Sequence, residues 1–361
     1  MRVGIIGTGA IANKHAQAYA NIGYEIAACS NRNSQRGRDF AERFHARFVE
    51  RWQDVCADPE VDFVDVCTFP DFRLPVVELC AAHRKHVQVQ KPMAIELATA
   101  RKMIEAAKQA GIAIGVVSQH RFDDSSQFLK RAISGGRLGR ILEADAYVKW
   151  FRPAEYYARP AKGAWQVEGG GALINQGIHQ VDLLLWMIGP VQSVCADWRL
   201  GALHRIESED MVNALVRYES GALGVIQAAT AFYPGYPERL EIHGTKGTAI
   251  ISGDRLTTWD VEDDSESSLK QDEPPLESAG KSGASDPMAI SLAPFERQFL
   301  DFGRAISDGR APLVSGEDGY RALELVQAIY RSCRDGRRFA FSGDSDSNAA
   351  ALGELNEAQL G

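Results

Sequence analysis

The sequence lacks any apolar run near the roughly 18 residues that a membrane-spanning helix requires. That absence excludes a helical membrane protein. It also lacks an excess of positive charge: 40 Lys and Arg stand against 48 Asp and Glu, a formal net charge of −8. Such a balance gives no overall attraction to nucleic acid or to an anionic membrane surface. Cysteines with metal-type spacing are missing too. Cys29, Cys56, Cys67, Cys80, Cys195 and Cys333 are scattered, so they read as buried thiols in a reducing compartment, with no metal site. No internal repeat is visible. The opening run Val3-Gly4-Ile5-Ile6 is too short for a secretory signal, and the expectation is a cytoplasmic protein.

What remains is ordinary globular material. The 361 residues are 45% hydrophobic and 24% charged, which suits two folded domains rather than one. In the first third, short apolar runs alternate with helical patterns. Val3–Ile6, Glu25–Ser30, Val61–Cys67, His86–Gln90 and Ile112–Val117 read as strands, the fourth by its alternation. Ala10–Ala20, Ser34–Arg47, Leu74–His83 and Glu96–Ala110 read as helices. In the second of these, Phe40 and Phe44 lie four apart on one face. This order predicts an α/β domain over residues 1–121 with a parallel sheet covered on both faces, and ligands beyond the carboxyl ends of its strands.

Past residue 121 the pattern changes. A helix over Ser125–Ile133 and a long strand over Ile141–Phe151 are followed by an amphipathic helix over Ala172–Ile188. Six more strands then read as Val191–Leu200, Asp210–Tyr218, Ala222–Ala231, Arg239–His243, Thr248–Ser252 and Leu256–Trp259. Hairpin turns fall at Glu219-Ser220-Gly221 and Gly253-Asp254. Two helices, Pro294–Ser307 and Glu317–Cys333, close the chain. Residues 122–361 are therefore expected to form an α+β domain with a large, mostly antiparallel open sheet. Residues 260–287 are acidic and Ser-rich and read as a surface excursion. Residues 342–361 read as a mobile tail.

The first chemical signal is Gly7-Thr8-Gly9-Ala10-Ile11-Ala12, a G-x-G-x-x-A that follows a strand and opens a helix. Gly7 permits the tight turn, Gly9 lets the backbone approach a pyrophosphate at the helix N-terminus, and Ala12 allows close helix–strand packing. The second strand ends Ser30-Asn31-Arg32. Asn31 can bond a ribose hydroxyl and fits NAD. Ser30 and Arg32 can receive a 2′-phosphate, which tilts the cofactor toward NADP.

Two further clusters carry candidate chemistry. Gln90-Lys91-Pro92 ends a strand, which puts the lysine at the ligand edge of the sheet. In Gly169–Asp182 a triple glycine opens the amphipathic helix. Ile174, Ile178, Val181, Leu185 and Ile188 make its apolar stripe, and Asn175, His179 and Asp182 share the face beside it. A histidine held between an amide and a carboxylate is an acid/base candidate.

Taken together, GTGAIANKH at the N-terminus, Lys91-Pro92, the GGGALINQGIHQVD segment and GTKG at Gly244–Gly247 resemble the glucose-fructose oxidoreductase / inositol dehydrogenase / MocA-like (Gfo/Idh/MocA) family over nearly the whole chain. The resemblance implies an N-terminal Rossmann domain, a sheet domain that forms homodimers or homotetramers, and NAD or NADP as cofactor. It implies that Lys91 is the catalytic lysine and His179 the acid/base residue, with Asn175 as the polar residue four positions before it. Three positions depart from the family pattern. Gln90 stands where many members have Glu. Asn175 stands where many have Asp, and an amide cannot exchange a proton. Thr68-Phe69-Pro70-Asp71 replaces the commoner Thr-Pro-Asn order.

In this reading Gly7, Gly9, Ala10, Ile11, Ala12, Ser30, Asn31, Arg32, Thr68, Gln90 and Lys91 hold the cofactor. Arg121, Arg152, Tyr156, Trp165, Asn175 and His179 line a pocket for a small-molecule carbohydrate. The expected activity is hydride transfer between nicotinamide and a secondary alcohol or ketone of a sugar, polyol or sugar acid, including nucleotide-linked ones. Two alternatives share the fold: an NAD-dependent glycoside hydrolase that oxidises and re-reduces its sugar, and a non-catalytic cofactor-sensing regulator.

Overall fold

Six strands build the first sheet: β1 (Arg2–Ile6), β2 (Glu25–Ser30), β3 (Arg47–Phe48), β4 (Phe63–Val66), β5 (His86–Val89) and β6 (Ile114–Val116). The structure, a computed structural model, describes residues 1–262, 291–342 and 345–352. The strand order is β3-β2-β1-β4-β5-β6, with every pair parallel. Helices Ala10–Asn21, Ser34–Phe44, Arg73–Ala82 and Leu97–Ala110 make the crossovers. With both faces covered, all four residues of β4 are fully buried, Asp65 included. The same covering explains why the alternation read over His86–Gln90 does not appear as an exposed face. Gln88 is as buried as its neighbours Val87 and Val89. The two-residue β3 is too short for periodicity to reveal. Strand order reverses between β1 and β4, which opens a crevice beyond their carboxyl ends.

The described chain divides into two compact units, and the first division falls at Phe122. The first unit also takes in residues 291–323, which the sequence reading placed in the second domain. The reason is the apolar face of the helix Ala293–Asp308. Phe299 stacks on Tyr19 at 4.2 Å between ring centroids, and Phe302 meets Phe63 edge-on at 5.3 Å. Gln298 accepts from the Ser118 amide and donates to the Val116 carbonyl. Periodicity shows that a helix has an apolar face but not what that face covers.

The second unit is built on β7 (Ile141–Lys149), β8 (Val191–Leu200), β9 (Glu209–Tyr218), β10 (Leu223–Ala229), β11 (Arg239–Gly244), β12 (Gly247–Ser252), β13 (Arg255–Val261) and β14 (Phe339–Ala340). Their order is β13-β12-β11-β7-β10-β9-β8-β14. All pairs are antiparallel except β7 with β10. Both expected hairpin turns are present, with Gly221 and Gly253 in the left-handed region that such turns require. On β9 the residues Val212, Ala214, Val216 and Tyr218 are buried, while Asn213, Leu215 and Arg217 are exposed. One face of this sheet is therefore covered and the other open.

The helix read over Ala172–Ile188 differs in one important way. It begins with a π-helical turn, Leu173–Gly177, and only then runs as an α-helix over Ile178–Ile188. The wider turn shifts the register of the α-helical part by about one residue. Ile174, Ile178 and Val181 are buried as expected, but Leu184 and Met187 carry the rest of the stripe. Leu185 and Ile188 are only half-buried. Asp182 is buried as well, so it does not share the open face of Asn175 and His179.

Within the segment read as a mobile tail, Ser345–Leu352 is helical. Ser342 donates to the Asn348 side-chain oxygen from both its amide and its hydroxyl, and Leu352 is buried. Residues 343–344 and 353–361 of that segment lie outside the described residues, as does nearly all of the acidic 260–287 stretch. Among the described residues, no helix is long and apolar enough to cross a membrane.

Because Phe299 is fully buried against Tyr19 and His15, Phe299→Ala is expected to destabilise the first unit by about 3–5 kcal/mol. Urea unfolding followed by circular dichroism measures it.

Candidate functional site

In the first unit the predicted cofactor residues converge at the carboxyl ends of β1, β2, β4 and β5. Gly7 has φ +91°, and a Cβ there would sit 3.0 Å from the carbonyl carbon and oxygen of Cys67, so only glycine is accommodated. A Cβ on Gly9 would have nothing within 4 Å. Gly9 also caps the helix Ala10–Asn21 with no side chain bonded to its first amides. The positive end of a helix with open space beside Gly9 fits the pyrophosphate of a dinucleotide. Ala12 is fully buried, while Ala10 is exposed and Ile11 half-buried.

At the end of β2 the assignments divide. The Asn31 side-chain amide donates to the Thr8 hydroxyl, and its oxygen accepts from the Asn33 amide at 2.8 Å. It thereby ties the glycine loop to the second strand. Arg32 is exposed. Ser30 must be corrected: it is buried, and its hydroxyl points to the Glu50 carbonyl at 3.4 Å. It is not available to a cofactor phosphate.

Thr68 and Gln90–Lys91 are held together by Arg73, which the sequence reading missed. Its guanidinium is buried and donates to three backbone carbonyls, those of Thr68, Gln90 and Pro92. Burial pulls its pKa down to about 9, against the opposing pull of Cys67, Asp71 and Asp65 nearby. Lys91 itself is half-buried and is followed by a cis peptide to Pro92. Arg121 is a second correction. It is buried, and its guanidinium bonds Asp318 at 3.2 and 3.3 Å and the Leu313 carbonyl at 3.3 Å. Those partners make it a structural ion pair rather than a substrate contact.

In the second unit the site is organised by Glu209, also missed. This fully buried carboxylate accepts from the amides of Gly171 and Leu173, each at 2.8 Å, and from the Tyr330 hydroxyl at 2.7 Å. Tyr330 in turn accepts from the Ile174 amide. The first amides of the helix are thus capped by one carboxylate and one phenol. A Cβ on Gly171 would collide with the Glu209 carbonyl oxygen, which explains a glycine at that position of the triple-glycine loop. Glu209 and Gly171 are 38 residues apart, so no local pattern announces the pair.

The helix so anchored is buried almost all round. From Gly169 to Leu184 only Asn175 and His179 are not buried. Asn175 lies inside the π-turn, and its amide donates to the Gly170 carbonyl at 3.1 Å. Nearby, Gln176 donates to the Tyr156 hydroxyl at 3.1 Å. Three cations surround the Tyr156 ring: Arg152 at 5.7 Å, Arg159 at 5.5 Å and Lys162 at 5.1 Å from its centroid. Arg152 is buried and also lies over Trp150 at 4.7 Å, and Lys162 pairs with Glu168. Trp165 is the third correction. It is buried against Trp198 and Tyr330, with its indole N–H on the Glu207 carbonyl, and belongs to the aromatic core.

Burial raises the Glu209 pKa to about 7, against the pull of its three donors. A folded-state pKa above the unfolded value means that the native state holds this proton more tightly. The contribution is full below about pH 4.5 and is lost as pH rises through about 7, on the order of 3 kcal/mol in all. Glu209→Gln, which cannot ionise, is expected to remove that part of the pH dependence. The difference between wild-type and variant unfolding free energies, measured from pH 5 to 8 by denaturant titration, isolates it from other titrating groups.

The likeness to known proteins runs through both units. The oxidoreductase family with NAD-binding Rossmann fold matches residues 1–118, and the GFO/IDH/MocA C-terminal domain matches residues 126–250. The WlbA dehydrogenase of Bordetella pertussis, solved in complex with NADH and UDP-GlcNAcA, is 30% identical. It aligns with 95% of this chain and 99% of its own at a TM-score of 0.81. The myo-inositol 2-dehydrogenase of Thermotoga maritima is 29% identical over 349 residues, 93% of this chain and 97% of its own. The D-apiose dehydrogenase of Paraburkholderia graminis is 29% identical over 351 residues, 92% and 88% respectively. The chain therefore belongs to the Gfo/Idh/MocA family of NAD-binding oxidoreductases.

Proposed function

We propose that the substrate is an acidic or nucleotide-linked sugar, that NAD is the cofactor, and that Lys91, His179 and Asn175 handle the reacting carbinol. The observation that carries the reading is that Asn175 and His179 are the two residues left half-open between Gly169 and Leu184, one helical turn apart. In the first turns of that helix, an amide and an imidazole are the groups left open to a ligand. The cations around Tyr156 favour an anionic group on that ligand. The complex of the 30%-identical WlbA dehydrogenase with UDP-GlcNAcA supports the same class.

The nicotinamide, when bound, supplies the hydride acceptor or donor. The residues at Gly7, Gly9, Asn31 and Thr68 would hold the dinucleotide; the Gln90 side chain, buried and bonded to His15 and the Lys91 amide, supports them from beneath. His179 takes the hydroxyl proton in oxidation and returns it in reduction. The Lys91 ammonium donates to the same oxygen and lowers the cost of negative charge developing there. Asn175 cannot move a proton and orients a neighbouring hydroxyl instead.

The lean toward NADP rests on Ser30 and Arg32 together. With the Ser30 hydroxyl turned to Glu50, Arg32 alone is left to receive a 2′-phosphate, and NAD is favoured. The open face of the second sheet, where Leu215 and Leu223 are exposed, supports a homodimer or homotetramer assembled through it. The absence of disulfides among six free cysteines suits the cytoplasm.

UDP-GlcNAcA is expected to give NADH absorbance with kcat/KM at least about tenfold above that for myo-inositol, a margin of about 1.4 kcal/mol. Equal rates would remove the case for an acidic substrate. Lys91→Ala and His179→Ala should each lower kcat by about 10²–10⁴-fold, while NADH still binds to both and the His179→Ala dissociation constant is unchanged. By fluorescence titration NADH should bind more tightly than NADPH. Leu215→Glu should reduce the assembled mass seen by light scattering.

A further inference from the structure

A buried polar chain in the first unit ends at the catalytic lysine without containing it. His15, on the helix Ala10–Asn21, is fully buried. Its ring lies against Phe299 at 4.9 Å and Phe295 at 5.4 Å between centroids. Nδ1 lies 2.7 Å from an Asp65 carboxylate oxygen, and Nε2 lies 2.7 Å from the Gln90 side-chain nitrogen. The Gln90 side-chain oxygen accepts from the Lys91 backbone amide at 3.2 Å. Asp65 also accepts from the Tyr19 hydroxyl at 3.1 Å and from the Cys67 thiol at 3.6 Å. Burial and the Asp65 charge push both of these groups up, so they stay protonated as donors.

The direction of every bond in this chain is determined. The Lys91 backbone amide can only donate, so the Gln90 atom facing it is the oxygen. The Gln90 nitrogen must then face His15 as a donor, and Nε2 must accept. The ring proton is left on Nδ1, where it meets the Asp65 carboxylate, which only accepts. The cluster of His15, Asp65 and Cys67 has the composition of a metal site. Its 2.7 Å nitrogen–oxygen separation is a hydrogen bond, shorter than the roughly 3.3 Å between two tetrahedral ligands of one zinc ion.

We propose that His15 and Asp65 are positioning residues: they fix the Gln90 amide in the one orientation that holds the Lys91 backbone, and so aim the lysine. The inference rests on the reading of Lys91 as catalytic. A polar network sunk under aromatic rings is not needed for stability, since apolar packing of the same volume does as well. Its value lies at the end that reaches the site, where small displacements cost large factors in rate.

Two substitutions separate positioning from stability. In His15→Asn the amide occupies the place of Nδ1, keeping the Asp65 bond but falling short of Gln90. In His15→Gln the amide occupies the place of Nε2, keeping the Gln90 bond but abandoning Asp65. Positioning predicts opposite orders in two measurements. His15→Asn should have the higher melting temperature, yet a kcat about 10- to 100-fold below wild type. His15→Gln should melt lower and retain more kcat. Both should bind NADH as wild type does. Turnover is read with UDP-GlcNAcA or myo-inositol, whichever wild type oxidises faster. If kcat follows melting temperature across the two variants, the role is merely structural and the proposal fails. A readout independent of turnover is the imidazole nitrogen spectrum, with His15 assigned by the signal that His15→Asn removes. A neutral ring protonated at Nδ1 is expected, and protonation at Nε2 overturns the chain. Lys91→Ala serves as the control. Wild-type turnover there overturns both the lysine's role and this inference. Its inactivity, with the two His15 variants ranked by stability, overturns this inference alone.

Discussion

A carboxylate without water around it sets the geometry of the second unit. Glu209 has no solvent to satisfy it, so it draws in the two amides and one phenol that lie within reach. Those amides belong to the start of the helix that bears Asn175 and His179. The triple glycine is what allows the approach, because a side chain on Gly171 would strike the backbone of β9. Sheet, loop and helix are thereby locked at one point, and the π-turn begins directly beyond it. A π-turn widens the helix and is found often at functional sites. Here it contains Asn175 and sits just before His179.

The first unit uses the opposite charge for the same end. Arg73 has no carboxylate partner in its donor set and satisfies itself on three backbone carbonyls around Thr68 and Lys91. In each unit one buried ion surrounded by backbone dipoles replaces what a salt bridge would do. Such an arrangement fixes main chain rather than side chain, and loops that must present a ligand-binding backbone benefit from that.

Much of this was legible in the chain itself. The βα alternation, the Gly7 turn, the hairpins at Gly221 and Gly253 and the boundary near residue 121 derive from periodicity and turn chemistry, which are local. Lys91 and His179 could be singled out as candidates because strand ends and helix faces are local too. Glu209 and Arg73 were not, since their partners are mostly backbone atoms that any residue supplies and, for Glu209, all lie far away in sequence. Arg121 and Trp165 were misassigned for the converse reason. An arginine or tryptophan near other candidate residues has the right type for a sugar pocket, but Asp318 and Tyr330 had prior claim to them. The stripe on the helix that bears Asn175 and His179 departs from expectation at Leu185 and Ile188, because the extra residue of a π-turn is invisible to a 3.6-residue period.

The discontinuity of the first unit has a consequence for how the protein is made. Its six strands are complete by Val116, but the helix that covers His15 and Tyr19 begins at Ala293. A ribosome must synthesise nearly all of the second unit before Phe299 emerges. During that interval the nascent Rossmann sheet carries an uncovered aromatic surface, the kind of exposure on which chaperones act. In the second unit β7 likewise waits for β10, its parallel neighbour, across more than seventy residues of intervening chain. Contacts of such long sequence separation fold slowly. The domain that appears first therefore stays incomplete until residues 291–323 have been made, long after its own sheet.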